Sequence, residues 1–133
     1  MTIRMRASMR TARSAAIETD IGTAAKVEIR TGAPPTNLTD ADTGTLLVSY
    51  TLASDWASQS GGVLTFSNTP IAGTAAAAGT AGHYRVKTNA GAIAMDGTVT
   101  ATGGGGDMTI DNTSIANGQT VNITGWTIKE GNA

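Results

Sequence analysis

Residues 79–99 read GTAGHYRVKTNAGAIAMDGTV, and the order of residue types in that stretch sets the fold class. Tyr84 and Val86 alternate with His83, Arg85 and Lys87, the period-2 pattern of a strand with one apolar and one polar face. Asn89 to Gly91 supplies a tight turn into a second short strand, Ala92 to Met95. Asp96-Gly97 then offers the left-handed backbone positions that a hairpin reversal uses. The stretch predicts a β-meander.

The neighbouring segments carry the same signature. Val27 and Ile29 alternate with Lys26, Glu28 and Arg30 before Gly32 and Pro34-Pro35 end the run. Leu46, Val48, Tyr50 and Leu52 form a second inward set, and Val63 to Phe66 a third after the Gly61-Gly62 break. Asp55-Trp56 falls in the loop between them. Residues 68–82 are rich in Ala, Gly and Thr and contain Pro70, which favours an extended or irregular connection over a helix. Thr98 to Thr102, a tetraglycine loop tip at 103–106 and a strand at Met108 to Asp111 follow. The last strand is Gln119 to Lys129, where Val121 and Ile123 share one parity and Trp126 and Ile128 the other, so Gly125 is expected at a bulge. The count is roughly eight short strands after one helix, an all-β antiparallel sandwich or jelly roll over residues 24–133.

Residues 1–23 differ in character. Arg4, Arg6, Arg10 and Arg13 are four of the nine Lys and Arg residues of the chain. Ser8 is placed to cap a short helix running to about Asp20, with Met9, Ala12, Ala16 and Ile17 on one face and Ile21-Gly22 closing it. The reading is a basic arm plus a short helix.

Composition limits the function classes. With 133 residues, one modest core is expected. Only five residues are Trp, Tyr or Phe, so the core leans on Ala and Val. The formal net charge of -1 gives no general attraction to nucleic acid or anionic lipid. No apolar run approaches the ~20 residues of a membrane helix, and the N-terminus lacks a signal-peptide core. There is no cysteine, which removes disulfides, thiolate metal sites and a cysteine nucleophile. His83 is the single histidine, and its polar parity predicts a surface or interface side chain in preference to a catalytic base. Asp40 and Asp42 in LTDADTG echo the first ligands of a calcium loop, but the completing glutamate is missing and turn formation is the simpler reading. No acid pair is singled out by spacing, so no enzyme, cofactor or metal is expected.

Four pieces stand in a particular order: SMRTARSAAIETDIG, KVEIRTGAPP, AGTAAAAGTAGHYRVKTNAGAIAMDGTV and the closing NITGWTI. In that order they resemble capsid decoration, or cement, proteins of tailed bacteriophages. The resemblance implies a jelly-roll virion protein made in the host bacterial cytoplasm that coats the outer capsid surface as a dimer or trimer and bridges major capsid protein subunits. Under that reading Arg4, Arg6, Arg10 and Arg13 face an acidic capsid surface, and Trp56 and Tyr84 serve as aromatic anchors. The alternative is a tail- or fibre-associated carbohydrate-binding β-sandwich, with Trp56 beside Asp55 and Gln59 as the sugar face.

Overall fold

The computed structural model describes residues 3–67 and 71–129. Pro70 lies outside the described residues. Among the described residues one helix, α1 (Ala7–Ile21), precedes ten strands: β1 (Lys26–Thr31), β2 (Leu46–Thr51), β3 (Ala57–Ser60), β4 (Val63–Phe66), β5 (Ile71–Thr74), β6 (Gly79–Lys87), β7 (Ile93–Ala101), β8 (Met108–Ile110), β9 (Ser114–Ile115) and β10 (Thr120–Lys129). The all-β class with one N-terminal helix holds. In place of two stacked sheets the strands form one curled mixed sheet, ordered β2-β1-β6-β7-β8-β10-β4-β3, with β5 on β10 and β9 on β6.

The sheet curls far enough that β2, at one end of the strand order, reaches β5 and β10. Ala76 N donates to Leu47 O at 2.8 Å, and Tyr50 Oη donates to Val121 O at 2.9 Å, tying β2 to the β5–β10 side. A Cβ at Gly73 would lie 2.6 Å from the Tyr50 ring, so only glycine lets β5 pass that close to β2.

Two local readings change. The first strand pair does not reverse at Asp96-Gly97, because β7 runs through both residues in register with β6. Gly97 is required there for space: a Cβ would meet Tyr84 Cε1 at 2.7 Å. The tetraglycine is a structured turn. Gly103 and Gly105 take positive φ, Gly104 N donates to Ala101 O, and Gly106 N donates to Thr100 Oγ1. That tight path lets β7 and β8 pair in parallel, Val99 with Met108, across a connection far shorter than the dozen or more residues parallel strands ordinarily need.

The expected irregularity at Gly125 is present. The β10–β8 register shifts between Ile123 and Gly125, which brings Val121, Ile123 and Trp126 all into the core.

α1 begins two residues earlier than a Ser8 cap would place it. Arg6 occupies the cap position with extended backbone and no side-chain cap, while Gly22 closes the helix by donating to Glu18 O. The buried face also differs from the expected one. Ser14 and Ile21 are buried, whereas Met9, Ala12 and Ala16 are exposed. Polar pins on the β3–β4 hairpin set this rotation. Glu18 accepts from Ala57 N and Gln59 Nε2, and Thr11 Oγ1 accepts from Gly61 N.

Candidate interaction surface

The four N-terminal arginines do not form one patch. Arg10 donates through Nε to Gly61 O at 3.2 Å and through Nη1 to Met5 O at 2.5 Å. Arg13 Nη1 lies 3.5 Å from the Met5 sulfur. Arg10 thus fastens the start of α1 to the hairpin. Arg4 and Arg6 stay exposed beside Ile3, which is 68% exposed. The outward strip is therefore Ile3, Arg4 and Arg6, continued by Met9 on the helix.

Trp56 and Tyr84 correct the expected aromatic anchors. Trp56 is 1% and Tyr84 3% exposed. The Trp56 and Trp126 rings stack at 5.5 Å, and Tyr84 meets Trp126 edge-on at the same distance. Trp126 Nε1 donates to Tyr84 Oη at 3.0 Å. Burial, with Asp107 and Asp96 nearby, pushes the Tyr84 phenol up to about 12 despite that bond. All five aromatic residues are needed inside a core this small. The sugar face built on Trp56 goes with them, since Gln59 spends its amide on Glu18.

His83 corrects its surface placement: it is fully buried. Its Nδ1 donates to Gly32 O at 2.9 Å, and its Nε2 has no partner among the described residues. The cause is the segment at 32–45, which folds over the polar face of β1 and β6. A Cβ at Gly82 would sit 2.2 Å from Gly32 O, so glycine there permits the strap to lie against the sheet.

Beneath the strap is a charge network. Glu28, Arg85 and Asp96 stand directly opposite one another on three adjacent strands. Asp42 descends from the strap and accepts from Arg85 Nη1 at 2.8 Å, Arg30 Nη2 at 3.0 Å and Lys87 Nζ at 2.6 Å. Arg85, fully buried, also donates to the carbonyls of Asp40 and Leu38. Burial pushes the Asp42 carboxyl up, but Lys87, Arg85 and Arg30 outweigh it and hold the group below its ordinary value. Burial lowers Lys87, and Asp42 and Glu28 outweigh that to raise it. Asp42 is an ion-pair hub, and three cations occupy the side of it that a calcium ion would need. Among the described residues no group of three or more His, Cys, Asp or Glu is arranged for a metal.

A cleft lies where the sheet is incomplete. β6 covers one edge of β7 from Ile93 to Thr98, but β8 covers the other edge only from Val99 to Ala101. Likewise β4 covers one edge of β10 at Thr127 to Lys129, and β8 reaches only to Trp126 on the other. Between these bare edges is a cavity of about 400 Å³ with Tyr84 at its floor and Asp96, Asp107, Ile128 and Lys129 around it. Met95 also lines a second cavity of about 280 Å³, bounded by Ile17, Asp20 and Ile21 of α1. The sequence marked none of this rim, because the gap is a product of where each ladder stops. Comparisons with protein-family models, with curated proteins and with solved structures return no match for this chain.

Proposed function

We propose that this chain is a virion structural protein that decorates the outer surface of a tailed-phage icosahedral capsid and bridges major capsid protein subunits. The observation that carries the reading is the outward strip Ile3, Arg4, Arg6 and Met9 ahead of and along a helix that is itself pinned to the β-domain. The strip combines exposed apolar surface with two cations, the chemistry of adhesion to an acidic protein surface. The chemistry is non-covalent. A subunit that binds only the expanded shell stabilises it by mass action, and an oligomer touching two capsomers gains a high effective concentration for its second contact.

Arg10 contacts Gly61 O and Met5 O, and Arg13 contacts the Met5 sulfur, so on this reading the exposed Arg4 and Arg6 are the cations that meet the capsid. Co-sedimentation with undecorated mature heads and unexpanded shells across a salt series tests the reading. The expected result is saturable binding to mature heads that weakens with salt and is reduced in the Arg4→Glu/Arg6→Glu variant. Binding to neither particle would overturn it.

A further inference from the structure

The bare edge of β7 and the N-terminal arm have matching chemistry. Thr98 N donates outward to Asp107 Oδ2 at 2.9 Å, away from β6. Strand alternation sends the backbone groups of Asp96 in that same outward direction, where no ladder partner exists among the described residues; at Ala94 the β6–β7 register shifts, which opens the start of this edge. An uncovered edge of this kind is a template for an added strand. Along it the core-facing side is apolar, with Met95 in register with Val86, and the outer side carries Asp96 in register with Arg85. Asp107 on the cleft rim and Asp20 on the adjoining groove add to the acid; the opposing cations are Lys129 on the far wall and Arg85, 3.9 Å from the Asp96 carboxylate.

The segment Ile3-Arg4-Met5-Arg6 alternates apolar and basic with the same period of two. Laid beside β7, it puts Ile3 and Met5 on the Met95 side and Arg4 and Arg6 on the Asp96 side. We propose that in the free protein the arm of one copy seats along the β7 edge of a second copy, so that the protein self-associates by arm exchange. Seating the arm releases the Met5–Arg10 bond and replaces it with strand pairing and two ion pairs. The proposal goes beyond capsid decoration and stands without it; on a head, capsid and cleft compete for Ile3, Arg4 and Arg6.

The test begins with sedimentation velocity of the full chain over a wide concentration range, wild type against Arg4→Glu/Arg6→Glu. Reversible self-association is expected, weakened about tenfold or more in the variant. Because the chain has no cysteine, crosslinking reports position cleanly. An equimolar mixture of Arg4→Cys and Asp96→Cys proteins is expected to form an intermolecular disulfide between the two species, with Lys129→Cys as a second acceptor on the opposite wall. A wild type that stays monomeric, self-association indifferent to the charge reversal, or no mixed disulfide with either acceptor overturns the inference. The failures of the two readings differ. Charge reversal that loses heads but leaves self-association intact sinks arm exchange alone, whereas lost self-association with full head occupancy sinks the arm's role on the capsid.

Discussion

Both faces of β6 are buried, and they are buried by opposite means. On the inner face Tyr84 joins Trp56, Trp126 and Phe66 in an aromatic cluster, and Val86 is buried in the same hydrophobic core. On the outer face His83 and Arg85 are as inaccessible as any core residue, yet they lie under a polar strap and are held by carbonyls and carboxylates. The inner face is stabilised by removing apolar area from water and by ring packing, terms with little directionality. The outer face depends on each charge finding its partner, because an unpaired buried charge is far costlier than a lost apolar contact. A chain with five aromatic residues has thus gained a second buried layer from salt bridges.

Substitutions separate the two faces. Trp126→Ala removes the ring that Trp56, Phe66 and Tyr84 all touch, and a loss of about 3–5 kcal/mol in urea unfolding is expected. A loss under a third of that would show that the cluster relaxes to fill the space. Asp42→Ala leaves Arg85 buried with two carbonyls and the more distant Asp96 carboxylate, and is expected to cost about 2–3 kcal/mol, less than a fully broken buried pair because Asp42 remains a quarter exposed and Asp96 stays at 3.9 Å. Faster amide exchange confined to 32–45 and to the facing strands would accompany it; unchanged stability would mean the strap is held by its backbone contacts alone. Gly97→Ala drives a Cβ into the Tyr84 ring and is expected to cost about 1–2 kcal/mol.

Titration probes the same contrast with smaller effects. Asp42 has its folded pKa below the unfolded value of about 3.9. Its stabilisation is therefore complete above that value and is lost as pH falls through the lower folded one. Acid unfolding below about pH 4 should be shallower in Asp42→Ala, and identical acid limbs would remove Asp42 from the account. On the inner face the Tyr84 phenol, raised to about 12, and the Tyr50 phenol, raised by burial, should both stay protonated as pH passes the free value of about 10. Raised values mean stability that is lost as pH climbs. An ultraviolet titration showing a tyrosine ionising near 10 in the folded protein would contradict the burial of that ring.

The sequence by itself determined the β class, most strand positions, the inward parity of Val27, Ile29, Tyr84 and Val86, the turn at Asn89 to Gly91 and the bulge at Gly125. Each is a local matter of side-chain period, glycine backbone freedom or turn chemistry, readable within a few residues. The same locality explains the errors. Asp96-Gly97 has the composition of a turn, but the Tyr84 ring from the neighbouring strand claims the space above Gly97 and Arg85 claims the charge of Asp96, so the pair continues the strand. His83 sits on a polar parity, and only the fold of 32–45 back over that face buries it. A clue existed in Arg30, Arg85 and Lys87 on one face of β1 and β6 and in the acids of LTDADTG, but matching them required knowing that the strands are neighbours. The curl that joins β2 to β5, the pins that turn α1 away from its apolar face and the gap between β7 and β10 were decided by tertiary structure alone. They depend on which ladders end where and on contacts between residues far apart in the chain, and no local pattern encodes such distances.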